Sequence, residues 1–332
     1  MLKPFLLTLF LILAWTVSAF SQEDDVIDTT GIYYEDLSHL LSIRIYPLAK
    51  INSLELKVPD GTISLQPNGT GSIGLGFNYK WLGFGFSVGL PASKESIEHK
   101  GETGRFDMQL SYFGKRLAAD GFIQQYKGYY MANPSDFIPW DNPNYPLARD
   151  LWVFSYGGSV HYIFNSDKLS MKAAYLRNQI QKRDAGSFAL GLFLYKDRVG
   201  SEQGFIPPEL PSLLRQSADL KEFDAFTVGV SGGYIYTFVL RDNFFLNLSM
   251  FPGIGYRRFD LKTLDDNHRS INTLGVQLIA RSAVGYEFKH FYMGLTMSVI
   301  LRNFSYNVSE VNLGTGQVRL TFGKRFDISR KD

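Results

Sequence analysis

The chain has 332 residues, a formal net charge of +2 and no cysteine. That near-neutral balance gives no field for nucleic acid, and the missing cysteine excludes both a disulfide framework and a lipid-modified N-terminal cysteine. Hydrophobic residues make up 45% of the chain, yet the mean hydropathy is close to zero, so apolar residues are dispersed among polar ones rather than gathered into spanning helices.

Residues 1–21 open with Lys3, continue with an apolar run from Phe5 to Val17, and offer small-residue cleavage sites at Val17-Ser18-Ala19 and Ala19-Phe20-Ser21. This is the pattern of a cleaved signal peptide, and the run is shorter than the roughly 20 residues of a helical anchor. Export without a helical span leaves the periplasm, the exterior or the outer membrane. Residues 22–40 carry Glu23, Asp24, Asp25, Asp28, Glu35 and Asp36 without alternation and read as a flexible, acidic periplasmic lead-in.

From residue 41 onward the chain alternates. Leu41–Pro47 and Ser53–Val58 are the first strand candidates. Ile73, Leu75, Phe77 and Tyr79, then Leu82, Phe84, Phe86, Val88 and Leu90, form a tight hairpin about Lys80-Trp81. Arg105–Tyr112 pairs with a strand from about Leu117 to Tyr130. Residues 131–150, rich in Pro and Asn, read as an outer loop. Trp152 to Phe164 alternates again, and a turn at 165–168 leads back through Leu169, Met171, Ala173 and Tyr175 as a strand. Phe188–Leu194 follows, then a Pro-containing loop at 199–220 with one helical turn near 211–220.

Phe226–Leu240 and Phe244–Met250 form the next hairpin, and 261–270 reads as a loop. The clearest alternation then runs from Leu274 to Phe288 and from Phe291 to Leu301, followed by an outer loop at 303–315 and a closing strand through Val318, Leu320 and Phe322. Strands of this length, polar on one side and apolar on the other, suit the 9–11 residues of a tilted bilayer crossing. The reading is an all-β fold over residues 41–332: a transmembrane, antiparallel, up-and-down β-barrel of about 12–14 strands. One conflict stands. If short turns lie inside and long loops outside, the middle and the C-terminal half assign opposite sides to the 199–222 connection, so either a strand near Arg177–Gly186 is miscounted or one long connection is periplasmic.

The stretches QLSYFGKRLAADGFIQQYKGYYM, VHYIFNSDKLSMKAAYLRNQIQKRDAGSF and GGYIYTFVLRDNFFLNLSMFPGIG resemble an uncharacterised Bacteroidota family of outer-membrane proteins, catalogued as domain of unknown function 4421. Tyr126-Lys127-Gly128-Tyr129-Tyr130 and the run from Gln181 to Phe188 are its most characteristic pieces. The resemblance covers nearly all of the mature chain and implies the barrel and its membrane. It implies no reaction, and no functional residue is carried over.

Candidate sites are few. Gly69 to Gly74 matches GxGxxG, but dinucleotide chemistry needs a helix after the glycines and here a strand follows. Asp107, Lys172, Arg281, Glu287, Arg302 and Arg319 lie opposite apolar faces. A basic residue on the lipid side near the midplane costs about 2–4 kcal/mol, so all six are expected to face the lumen, where they either pair or line a passage. Tyr129, Tyr130, Trp140 and Tyr145 form the one aromatic cluster suited to a ligand. The other strand-end aromatics, Trp81 among them, read as an interfacial girdle.

His161 projects to the polar side of its strand and is the only histidine that a lipid-modifying hydrolase could use, although no His-x-Ser arrangement adjoins it. The remaining histidines match no zinc spacing, and Asp265-Asp266-Asn267 is too sparse for calcium. The expectation is an outer-membrane, monomeric barrel, porin-like or structural, with no cofactor and no metal, whose partners are membrane lipids and small solutes if the lumen is open. A lipid- or lipopolysaccharide-modifying hydrolase and a loop-mediated binding protein are the rival readings.

Overall fold

A computed structural model describes residues 33–80, 82–216, 219–241, 243–306 and 309–328. The expected signal peptide at 1–21, the expected lead-in up to residue 32 and Trp81 lie outside these. The strands are β1 (Tyr34–Asp36), β2 (Leu41–Val58), β3 (Gly61–Gln66), β4 (Gly71–Tyr79), β5 (Leu82–Gly89), β6 (Gly104–Phe113), β7 (Leu117–Met131), β8 (Leu147–Ile163), β9 (Gln179–Gln181), β10 (Ala185–Gly200), β11 (Glu222–Arg241), β12 (Phe244–Lys262), β13 (His268–Glu287), β14 (Phe291–Tyr306) and β15 (Ser309–Phe326). Two short helices, α1 (Lys94–Lys100) and α2 (Ser212–Gln216), interrupt them.

The backbone ladders close into a ring of ten antiparallel strands, β2-β3-β7-β8-β10-β11-β12-β13-β14-β15, shut by pairing of β15 with β2. β3 and β4 lie end to end along one flank of β2: Leu54–Val58 pairs with β3 and Ser42–Ala49 with β4. They therefore act as one strand broken at residues 67–70. β5 pairs with β4 and β6 with β7, but among the described residues no ladder joins β5 to β6. The wall is thus continuous above, where β3 meets β7 at Leu65–Met131 and Gln66–Tyr130, and slotted below. Counting β3 and β4 as one passage, twelve strands cross, the lower end of the expected range.

The alternation decides which way each side chain faces. Phe188, Leu190, Leu192 and Leu194 on β10 are 42–70% exposed, while Ser187, Ala189, Phe193 and Tyr195 at the alternate positions are buried. Higher on the same outer line, Lys196 pairs with Asp224 and Arg198 with Glu222, which ends the apolar belt. An outer surface that is apolar in a band and charged above it belongs to a membrane-spanning barrel, whose closure leaves no unpaired edge except at a defect.

Several expected elements change. β2 is one strand, not two. β12, β14 and β15 run on past the belt, so Asn303–Thr315 is not a loop but the facing ends of β14 and β15. Leu169, Met171, Ala173 and Tyr175 are not strand residues. Lys172–Leu176 forms a single π-helical turn ending at Arg177, whose φ of 63° is left-handed. The 164–184 connection therefore lies at the end that holds the short turns and both barrel termini, and 201–221 lies at the opposite, long-loop end. That settles the earlier conflict: the miscounted strand was at 169–175.

Residues 33–40 are not a free tail. β1 pairs with β9, and Leu37 and Leu40 pack on Ile180. Helix α1 was not anticipated, although Ser93 accepts from the Ser96 N–H as an N-cap, Glu95 lies in the first turn, and Gly101 ends it at φ 72°.

Candidate functional site

The interior is filled from both ends. At the short-turn end the 164–184 segment reaches strands on opposite sides of the ring: Asn78 Nδ2 on β4 donates to Leu176 O at 2.7 Å, and Tyr175 stacks on Phe113 of β6 with ring centroids 5.1 Å apart. Tyr175 Oη also donates to Asn247 Oδ1 on β12 at 3.0 Å. Arg177 closes the crossing. Its Nη1 meets Glu287 Oε1 at 2.8 Å, its carbonyl accepts from Arg325 Nε and Nη2 at 3.0 and 2.6 Å, and its guanidinium lies 4.4 Å from the Phe245 ring centre. Methyl groups at Gly285 or Gly294 would collide with that guanidinium, so the two glycines make its seat.

At the opposite end Phe205, Ile206, Leu210 and Leu214 of the 201–221 connection join one apolar cluster with inward residues of β2, β7, β11, β12, β14 and β15. Phe223 is its hub, packed against Phe205, Phe259 and Phe304. Between the two fillings lies a charged layer. Lys50 meets Asp107 at 2.8 Å, Arg281 meets Asp120, and Arg302 meets Asp197 at 3.1 Å without hydrogen-bond alignment. Arg302 also donates to Thr315 and lies over Phe122 and Tyr195.

Of the six residues expected to face the lumen, Asp107, Arg281, Glu287, Arg302 and Arg319 lie on inward strand positions. Four of these are in ion pairs, and the Arg319 guanidinium lies 4.6 Å from the Tyr46 ring centre. Lys172 is the exception, since it belongs to the π-helical turn and not to a strand face. The inward charges that the sequence reading missed, Arg44, Lys50, Asp120, Arg177 and Asp197, follow mostly from the rule that found the others: Arg44 falls between outward Ile43 and Ile45. Arg177 had no such signal.

The aromatic cluster divides. Tyr130 and Tyr145 pack edge-on at 5.3 Å with Lys100 over both rings. Tyr129 instead faces the core, donating to Asn52 Oδ1 at 2.7 Å, because the register shift at Gly128 turns it inward. Trp140 donates to Asn144 O within its own loop. His161 is buried and does have a serine, though 70 residues away: Nε2 lies 2.9 Å from Ser231 Oγ, while Nδ1 has no partner among the described residues.

In the 263–267 loop, Asp266 lies 2.8 Å from Lys262 and 3.7 Å from Lys221, and the Lys262 bond chiefly holds its carboxyl below the ordinary range. Bonding to Glu202, and then Asp266, raises Lys221. Asp266 is thus engaged by lysines, and no group of three or more His, Asp and Glu among the described residues is placed to hold a metal.

Among solved structures the chain is similar to the outer-membrane protease OmpT of Escherichia coli, at 9% identity over 90% of this chain and 100% of that one, with a TM-score of 0.36. It is similar also to the translocator domain of the autotransporter NalP of Neisseria meningitidis, at 8% identity over 95% of each chain and a TM-score of 0.34. No curated protein matches it. Residues 26–326 match the family model described as domain of unknown function (DUF4421), and the chain belongs to that family.

Proposed function

We propose that this protein is an outer-membrane barrel with a closed axis, a monomeric scaffold that presents its loops at the envelope and does not conduct solute. The observation that carries the reading is the double filling: the 164–184 segment and the 201–221 connection occupy the two mouths, and ion pairs occupy the layer between. A porin-like passage needs a continuous wet path lined by charge, whereas the Arg302 and Asp197 side chains are each about 1% exposed. In planar bilayers the full mature chain should give no stepwise conductance above the lipid baseline. Uniform, sustained ohmic channels would return the protein to the porin-like class.

The hydrolase reading is favoured by one specific observation. His161 Nε2 and Ser231 Oγ are at the spacing of a base and its nucleophile. Ser231 also floors an outward groove of about 740 Å³ lined by Leu190, Leu192, Val230, Pro252 and Ile254, of a kind that takes an acyl chain. Against it, among the described residues no third group hydrogen-bonds His161 Nδ1 to orient the ring, and the groove lies near mid-strand, far from where ester bonds sit in a bilayer. Cells carrying His161→Ala should show an unchanged lipid profile; an altered one would promote the hydrolase.

A further inference from the structure

The slot between β5 and β6 breaks the rule that a barrel wall leaves no free strand edge in hydrocarbon. Its roof is built. Asn68, in the break between β3 and β4, donates through Nδ2 to the Ser96 carbonyl of α1 at 3.0 Å and to that of its C-cap Gly101 at 2.8 Å, and its N–H meets Thr103 Oγ1 at 2.8 Å. Arg105 Nη2 at the head of β6 donates to the carbonyls of Gly71 and Leu90, pinning the upper corner. Below that corner β5 is exposed on both faces. Phe84, Phe86 and Val88 face outward, and the inward positions Gly85, Ser87 and Gly89 carry almost no side chain.

Behind this thin strand stands Arg44, 7% exposed, whose Nε and Nη1 make no hydrogen bond and which has no carboxylate partner among the described residues. A Cβ on Gly85 would lie 3.7 Å from Arg44 Nη2 and 2.8 Å from Tyr46 Oη, so the guanidinium is directly inside the slot's edge strand. Arg281 and Arg302 also have idle nitrogens, but each keeps a carboxylate; Arg44 keeps none. Arg319, above it, has an idle Nε and only the Tyr46 ring. Across the slot, an added Cβ on Gly89 would lie 2.5 Å from Arg105 Nη2, and counting down both strands from that contact brings Gln109 level with Gly85; Gln109 Nε2 is likewise buried without an acceptor.

The idle atoms of Arg44, Gln109 and Arg319 are all donors, two of them on cations. A buried, uncompensated guanidinium is costly unless an acceptor completes it. We infer that Arg44, Gln109 and Arg319 form a binding site for an acidic head group, carboxylate or phosphate, that enters the wall sideways between β5 and β6 while its acyl chain stays against Phe84, Phe86, Met108 and Leu110. The site uses the wall and not the axis, so it stands whether or not the axis conducts.

Sodium oleate, oleyl alcohol and inorganic phosphate separate the head group, the tail and a free ion. Each is titrated by calorimetry into the full mature chain in a neutral maltoside detergent. Oleate should bind one to one, oleyl alcohol at least roughly tenfold more weakly, and Arg44→Gln or Gln109→Leu should weaken oleate by a similar factor. Arg257→Gln, at an inner arginine already bonded to Thr227 and Asn303, should leave oleate binding unchanged. Heat-modifiability on gels certifies that each variant is folded.

The chain has no native cysteine, so Phe86→Cys with Met108→Cys can be bridged across the slot by a bismaleimide, with the unbridged form as its own control. Bridging should abolish oleate binding. Phosphate binding that depends on Arg44 and survives bridging would support the acidic-group site and assign a free ion as its occupant. Equal binding of oleate and oleyl alcohol, or of oleate to the wild type and to Arg44→Gln, would overturn the proposal, as would failure of both oleate and phosphate to bind.

Discussion

Glu287 sits between two guanidinium groups, Arg177 at 2.8 Å and Arg325 at 2.6 Å, with all three side chains at most 2% exposed. Breaking such a buried network by neutralising one member leaves uncompensated charge and costs about 3–5 kcal/mol, whereas an exposed pair is worth about 0–1 kcal/mol. Glu287→Gln should therefore lower the guanidinium midpoint in detergent sharply, while Glu222→Gln, at the exposed Arg198 pair, should barely move it. Equal effects would mean that Arg177 does not tie the crossing segment to the wall. On the outer face the logic reverses: Leu192→Arg places a charge near mid-strand against lipid and should cost about 2–4 kcal/mol in folding into bilayers, because Leu192 is 61% exposed to that phase.

At the scale of elements, the slot makes a dynamic prediction. A strand edge without a ladder has no partner for half of its amides, and local opening then needs little free energy. In micelles, peptides covering 82–89 and 104–113 should exchange their amide hydrogens well before those covering 244–262 and 274–287, which lie in full ladders. Equal protection would mean that β5 and β6 pair in solution.

Elements are also where the sequence was legible and where it stopped. Within the belt, one face meets lipid and the other the interior, so alternation is sharp and β10, β13 and most of β14 could be read from it. Above the belt the alternation inverts, with Phe259, Leu261, Phe304, Val311 and Leu313 packed inside and polar residues such as Arg258 and Asp260 outside, so the apolar-outward pattern stops and the upper parts of β12, β14 and β15 read as loops. Leu169, Met171, Ala173 and Tyr175 failed for another reason: four apolar residues at spacing two fit a short strand and a packed turn equally well, and periodicity cannot choose between them. Inward charge was legible wherever it fell inside an alternating run, as at Asp107 and Arg281. Neither the partner of each charge nor the missing β5–β6 ladder could be found that way, because both depend on which strands become neighbours.

For the whole molecule, three layers stack along the axis: the 164–184 crossing, the ion-paired middle and the Phe223-centred cluster under the 201–221 connection. The wall around them is apolar outside and polar or core-filled inside, and everything argued above depends on that division. Because the chain has no native cysteine, single spin labels can be placed at will in bilayer-reconstituted protein. At Leu192, Val230 and Leu295 the account predicts high collision rates with dissolved oxygen and protection from a water-soluble nickel chelate, and at the inward Ala189 and Ser249 protection from both. Labels at Leu192, Val230 and Leu295 that collide freely with the nickel chelate would contradict a lipid-facing belt and, with it, the barrel's place in the membrane.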